Sequence, residues 1–267
     1  MKIEIDLNKS IQENAGSYYD FSKKAKKKLG GLAKGMHEVD KKISEEGESK
    51  GVQKKLVKKR EKKWYEKYHW FFTSEGFLVV GGRDAKSNEQ VVKKIMVPGD
   101  VYFHADIQGA PHTILKADGK IPGEISKKEA AIFAACFSKA WREQLAGLDV
   151  YSANPDQVSK KAPSGESLGT GAFMIHGKRE WFKKTPLQFA IGFKKYGDSL
   201  DLFSGPESAV KKNSDYLVKV FFGKDSKGAC AKKIRKQFLD KSGNKFEVRL
   251  EDIEFLLPSG GLSLGKA

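Results

Sequence analysis

The stretch VYFHADIQGAPHTILKA, residues 101–117, decides how the rest of the chain is read. VYFHAD and HTILKA have the aromatic and β-branched content of two strands, and Gly109-Ala110-Pro111 between them forms a turn that folds the chain back. His104 and Asp106 are two apart and share one face of the first strand, and His112 approaches them when the turn closes. Three such side chains are chemically able to hold zinc or a harder metal, and a metal-dependent RNA-processing enzyme is the reading that would follow. The spacing is not a specific motif, however, and no HxH, HExxH or DxD follows to supply a second half. A hydrogen-bonded turn that presents one or two polar groups is the preferred reading, with no metal and no other cofactor.

Working outward toward the N-terminus, HWFFTS (69–74) and FLVVGGRD (77–84) read as two strands meeting at Glu75-Gly76, a hairpin in which glycine takes positive φ. NEQVVKKIM (88–96) is a short helix stopped before Pro98-Gly99. Toward the C-terminus, SKKEAAIFAACFSKAWREQL (126–145) reads as a longer helix. Ser126 with Glu129 predicts a capping box at its start, and Ala130, Phe133, Phe137 and Trp141 form the face that covers a sheet. Further strands are expected around DVYSA (149–153), GAFMIHG (171–177), LQFAIGF (187–193) and DYLVKVFF (215–222). They are separated by the polar loop NPDQVSKKAPSGES (154–167) and a turn at GKRE (177–180), and GACAKKIRKQFL (228–239) is a basic helix. This order of elements predicts an α+β fold with a mixed or antiparallel sheet and packed helices, not a regular doubly wound sheet.

The first quarter of the chain has a different period. After a β-like opening, KIEIDL (2–7), the positions Ile11, Ala15, Tyr18, Ser22, Ala25, Leu29, Leu32, Met36, Val39 and Ile43 alternate spacings of four and three, a heptad seam. EEGESKG (45–51) suits a turn, and VQKKLVKKREKKWYEKYHW (52–70) a returning helix, so an antiparallel coiled-coil hairpin is expected before the sheet. The expected organisation is an arm at 1–67, a core at 68–203, and a strand-helix extension at 204–267 packed on that core.

Charge narrows the partner class. Fifty Lys and Arg against 34 Asp and Glu leave a formal +16, and the arm carries 19 basic and 11 acidic residues, or +8 of that excess. Such a chain suits a polyanion, and its affinity falls with added salt. No apolar run approaches the roughly 18–20 residues of a membrane span, and no apolar stretch follows the first lysine, so a cytoplasmic protein without a membrane partner is expected. Cys136 and Cys230 stand nearly a hundred residues apart, which excludes a disulfide framework and a cysteine-rich zinc site. VVGGRD lacks the third glycine of a dinucleotide fingerprint, and no GxxxxGK[ST] occurs. Anion recognition is the more coherent chemistry: Arg83 after a double glycine, Lys160 and Lys161 in the polar loop, the basic turn Lys178-Arg179, and Arg142 at the end of the long helix form a basic rim if they meet at one sheet edge.

Three segments, KYHWFFTSEGFLVVGGRDAKSNE, GDVYFHADIQGAPHTILK and DQVSKKAPSGESLGTGAFMIHGKREW, resemble in order the RNA-binding NFACT-R domain of the ribosome quality control NFACT proteins, and the flanks resemble the archaeal type. The resemblance implies a non-enzymatic role on the obstructed large ribosomal subunit: binding its RNA and tRNA while the subunit's own peptidyl transferase centre extends the stalled chain without mRNA. It places Gly82, Arg83, Asp84 and Asn88, then His104, Ala105, Asp106 and Gly109, then Ser159, Lys160, Ala162, Pro163, Gly165 and Glu166, and finally Gly177, Lys178 and Arg179 at the functional surface. By chemistry, Arg83, Lys160, Lys161, Lys178, Arg179 and Arg142 are the expected RNA contacts, and the others shape the site. Full-length relatives begin with a large N-terminal domain, whereas this chain starts within the coiled-coil portion. The N-terminal part is therefore expected to be either missing from this sequence or supplied by a partner chain, with the arm as a joint or as a protein-protein adaptor, and the oligomeric state is left open.

Overall fold

A computed structural model of the chain describes residues 5–7, 10–47, 63–161, 168–197, 199–243 and 248–265. It divides into two compact units, 1–58 and 59–267. In the first, helix α1 (Ile11–Gly47) starts on a reciprocal cap: Glu13 N–H donates to Ser10 Oγ at 3.2 Å, and Ser10 N–H donates to the Glu13 carboxylate at 2.8 Å. Its seam residues Ile11, Tyr18, Leu29, Leu32 and Met36 are exposed. Of the returning helix expected over 52–70, residues 52–62 lie outside the described residues and 63–70 do not continue it, since Trp64–Lys67 form a single tight turn and His69 begins a strand. Residues 5–7 form no strand where KIEIDL predicted one.

The second unit is built on a six-stranded sheet in the order β1-β2-β4-β3-β5-β8, every pair antiparallel. Its strands are β1 (His69–Phe72), β2 (Leu78–Gly81), β3 (Val101–Ala105), β4 (Thr113–Leu115), β5 (Gly147–Ala153) and β8 (Glu180–Pro186). The opening stretch is, as expected, strand, turn and return strand: Tyr102 faces Ile114 and Phe103 faces Thr113, with Gly109 at φ +78° in the turn. Alternation explains why these strands read as nearly continuous apolar runs. Phe71, Val79, Phe103, Leu115 and Val150 point to one face and Trp70, Val80, Tyr102, Ile114 and Tyr151 to the other, and both faces are covered.

The first face is covered by α3 (Glu124–Cys136), through Ala130, Phe133 and Ala134. The capping box predicted at Ser126 and Glu129 is not there. The helix begins one turn earlier at Gly123, and Ser126 and Glu129 are buried inside it, where they tie it to the β1–β2 turn. Ser126 N–H donates to Glu75 at 3.1 Å, and Glu129 accepts Ser74 N–H at 2.8 Å and the Ser208 hydroxyl at 2.6 Å. The same residue types that cap a helix also satisfy a neighbouring turn, and only the tertiary fold chooses. The long helix also breaks at Ser138, whose hydroxyl donates back to Ala135 O at 2.7 Å and accepts from Ala140 N–H at 3.2 Å, starting a separate turn, α4 (Lys139–Arg142). The second face is covered by Val91 and Val92, at the end of α2 (Ala85–Gln90) and the wider turn that follows it, and by Tyr65.

A second antiparallel sheet has the order β10-β9-β11-β12, from β9 (Phe189–Tyr196), β10 (Ser199–Pro206), β11 (Tyr216–Asp225) and β12 (Leu262–Leu264). β9 turns Phe189 toward Phe137 and Trp141, and Phe193 toward Phe238 of α6 (Lys227–Ser242). The two sheets meet closely enough that a Cβ on Gly205 would lie 3.0 Å from the Phe71 ring. α5 (Glu207–Asn213) and α7 (Leu250–Leu256) complete the unit. β8 and β10 were not anticipated, because EWFKKTP and SLDLFSGP lack an apolar run, and the expected GAFMIHG strand shrinks to β7 (Met174–Ile175), paired with β6 (Val158–Ser159). The expected boundary at 203/204 falls inside β10, an edge strand that pairs with β9 before the boundary, in a sheet completed by β11 and β12 after it.

Candidate nucleic-acid interface

On the second face, the cover of the large sheet stops before its β8 edge. There the register aligns His104 of β3 with Tyr151 of β5, and Tyr151 with Trp181 of β8, in one cross-strand row. The His104 and Tyr151 rings are 5.9 Å apart and the Tyr151 and Trp181 rings 5.3 Å. Tyr151 is almost buried, whereas Trp181 at the outermost strand is 39% exposed. Arg179 lies 4.6 Å over the Tyr151 ring, and Lys183, whose ammonium also pairs with Asp149 at 2.7 Å, lies 4.3 Å over Trp181, both within cation–π reach. Trp181 is thus the exposed end of an otherwise largely buried row, with Arg179 and Lys183 beside it, and an exposed ring among cations is able to stack an unpaired base.

The histidines contribute rings, not charge. Burial, then the neighbouring His112, lowers the His104 pKa to about 4, so its imidazole is neutral at neutral pH. Burial also lowers that of His112, against the opposing pull of the Gly171 carbonyl. His112 has both ring nitrogens occupied: Nε2 bonds Gly171 O at 2.7 Å, which makes it the N–H, and Nδ1 faces the Tyr102 hydroxyl. Its one lone pair, on Nδ1, accepts the Tyr102 hydroxyl proton, so in this arrangement His112 does not complete a metal site with His104 and Asp106. Among the described residues no three His, Cys, Asp or Glu side chains converge as metal ligands. Asp106 is exposed in the turn, its N–H bonded to Asp149 O at 2.8 Å, and its charge reaches Tyr151.

The other expected site residues divide into builders and free cations. Asp84 caps α2 reciprocally with Ser87, and Asn88 Oδ1 accepts the His112 backbone N–H at 3.0 Å. A Cβ on Gly82 would fall 2.0 Å from that same Oδ1, so only glycine fits there. Arg83 stacks 3.7 Å from the Phe255 ring and donates to Phe255 O at 3.2 Å, which ties the large sheet to α7. It also lies beside His69, whose pKa burial, Arg83 and Lys227 all hold well below the ordinary value.

Lys160 gives its ammonium to Gly169 O at 2.8 Å, Ala172 O at 3.0 Å and Glu89 at 3.4 Å, and covers the Phe173 ring. It is a staple for the segment after the polar loop, with all three N–H donors used. Lys160→Gln is expected to cost about 1–3 kcal/mol of stability, because two carbonyls lose a charged donor. Chemical denaturation checks this, and an unchanged midpoint would show that the staple is dispensable.

Ser159 Oγ bonds His176 Nε2 at 2.8 Å and accepts the Lys161 N–H at 3.3 Å. Lys161 and Lys178 are exposed, and Gly177 takes φ +72° to turn the chain into β8. Arg142 is exposed at the end of α4, its backbone beside Gly260. Ala162, Pro163, Gly165 and Glu166 lie outside the described residues. Tyr151, Trp181 and Lys183 are not among the residues expected from the sequence. The available signal was the alternation in REWFKK, which turns Phe182 toward the core and leaves Trp181 out among cations.

Residues 67–177 match the family model of the NFACT protein RNA binding domain. The chain carries an NFACT RNA-binding domain. Over 219 residues it is 36% identical to the archaeal Rqc2 homologue aRqcH of Methanocaldococcus jannaschii, covering 82% of this chain and 32% of that one. The NEMF homologue of Drosophila melanogaster is 37% identical over 195 residues, covering 71% and 20%, and human ribosome quality control complex subunit NEMF is 35% identical over 202, covering 74% and 18%. The chain therefore spans about a third or less of the length of these relatives. A solved C-terminal portion of the fibronectin/fibrinogen-binding protein of Streptococcus suis is 20% identical with a TM-score of 0.38, covering 68% of this chain and 78% of that one. The NFACT match contains His104 and Tyr151 and stops just short of Arg179, Trp181 and Lys183, so the outer half of the aromatic row lies beyond it. Among the described residues no helix is long and apolar enough to cross a membrane.

Proposed function

We propose that this chain is an RNA-binding module of ribosome quality control, and that it holds RNA on the β8 edge of its large sheet. The observation that carries this reading is the His104–Tyr151–Trp181 row with Arg179 and Lys183 over its rings. The exposed Trp181 ring stacks a base of any identity, and Arg179 with the exposed Lys178 and Lys184 of the same seven-residue stretch neutralises phosphates, while Lys183 can do so only by leaving Asp149. Nothing in the row needs to react, so the module binds and positions.

The relatives are named as ribosome quality control factors, and the finer reading follows from them. The RNA is that of the obstructed large subunit and of tRNA, and the module supports mRNA-independent extension of the stalled chain.

The test uses the full chain and labelled single-stranded RNA, with large subunits and tRNA as further probes. Trp181→Ala combined with Lys183→Ala is expected to weaken single-strand binding about 10- to 100-fold, the value of one stacked base with its neighbouring charge. Unchanged affinity in a variant that melts like the parent would remove this face as the RNA site.

A further inference from the structure

A second basic surface lies outside the matched domain. α6 carries six Lys or Arg and one Asp in 16 residues, a net +5 out of the chain's +16. Half of these cations have internal work. Lys233 pairs with Asp225 at 2.7 Å, Lys227 donates to Leu257 O at 2.7 Å, and Lys241 lies over the Tyr216 ring. Lys232, Arg235 and Lys236 do not pair with any carboxylate among the described residues. They stand at i, i+3 and i+4, hence on one face of the helix within about 6 Å of rise. Together with Leu239, Asp240 and Leu250 they line an open groove of about 330 Å³. The Arg235 Nε is shut off from solvent and has no hydrogen-bond partner among the described residues, although an unmet charged donor is costly to bury.

We propose that this groove is a second RNA contact, in which Lys232, Arg235 and Lys236 take backbone phosphates without reading sequence. Three unpaired cations on one helix face suit a row of phosphates, and the Arg235 fork suits two oxygens of one of them. An anionic membrane is the poorer fit, because a surface-lying helix must insert its apolar face. The apolar face of α6, including Cys230, Ala231, Ile234 and Phe238, is buried in the core. The choice of RNA among polyanions rests on the reading given under Proposed function, but the site itself shares no residue with the β8 edge.

The test compares the full chain with the variant Lys232→Ala, Arg235→Ala, Lys236→Ala, using a short RNA duplex over a range of salt concentrations. The logarithmic salt slope is expected to shrink by about 2 to 3, with affinity falling roughly tenfold or more at physiological salt. Lys232→Arg with Lys236→Arg should bind like the parent. Should the triple variant fail to melt like the parent, Lys236→Glu, at an exposed position, carries the same slope measurement. A retained slope overturns the proposal. So does a variant that loses binding to polyglutamate or phosphatidylserine vesicles while keeping its RNA affinity. The Trp181→Ala, Lys183→Ala variant is measured in parallel: if it alone loses RNA, the α6 site fails and the β8 face stands, and if only the α6 variant loses RNA, the reverse holds.

Discussion

Asp100→Ala is expected to remove about 3–5 kcal/mol of folding stability, a large fraction of the roughly 5–15 kcal/mol that a folded domain possesses. Asp100 is 2% exposed, and its carboxylate accepts the Lys116 ammonium, the Val97 N–H at 2.9 Å and the Ala117 N–H at 3.0 Å. Lys116, 8% exposed, also donates to Ile95 O at 2.9 Å. This one carboxylate therefore locks the turn after α2 against the end of β4 at the centre of the large sheet. Removing it leaves a buried ammonium and two backbone donors without partners, and the loss comes from those orphaned groups, not from the attraction of the pair alone. It follows that Asp100→Leu with Lys116→Met should recover a large part of the loss, since removing both charges removes the ammonium's desolvation cost. Urea denaturation of the parent, single and double variants decides the matter. A single-variant loss below about 1 kcal/mol would mean that water or a moved side chain takes over.

Acid should loosen the fold well above the range in which carboxylates titrate. His69, His104 and His112 all have folded-state pKa values lowered by burial, that of His104 to about 4. In the unfolded chain each protonates near pH 6.5. The stability they contribute is complete above that pH and is lost as pH falls, because only the unfolded state takes up the protons. For His104 the loss runs from about pH 6.5 to about 4 and amounts to roughly 3 kcal/mol, with His69 and His112 adding in the same direction. Glu89, held at about 2 by Lys93 and the Gly171 N–H, and Asp84 and Asp149, also lowered, act only at more acid pH. Denaturation midpoints measured between pH 7 and 5 thus isolate the histidines. His104→Phe should flatten the profile in that window, and a flat parent profile would show that the rings reach solvent.

Much of the architecture could be read locally. VYFHADIQGAPHTILKA announces its turn with Gly109 and Pro111, and HWFFTSEGFLVV its hairpin with Gly76 at φ +89°, since both depend on residues a few positions apart. Alternation of apolar residues placed Phe103 and Phe133 in the core for the same reason. The edge strand β8 escaped because one of its faces is solvated, so EWFKKTP looks like a charged loop until β5 pairs with it. Ser126 and Glu129 show the limit from the other side, as their spacing fits a cap and their partners turn out to be Thr73, Glu75, Ser74 and Ser208.

The candidate site divides in the same way. Composition marked a basic chain, and the resemblance of its motifs put His104, Asp106 and Arg179 at the expected functional surface, because charge and motif content are properties of the chain. Which cations remain available was decided only by tertiary contacts. Arg83 ends on Phe255, 172 positions away, Lys160 spends its donors on Gly169, Ala172 and Glu89, and His112 closes onto Tyr102 and Gly171. Trp181, which no motif singled out, becomes the exposed end of an aromatic row because β5 sets it beside Tyr151. A side chain's identity fixes what it can donate, whereas the long-range packing that brings a carbonyl or a ring within reach fixes whether that donor is still free to meet a ligand.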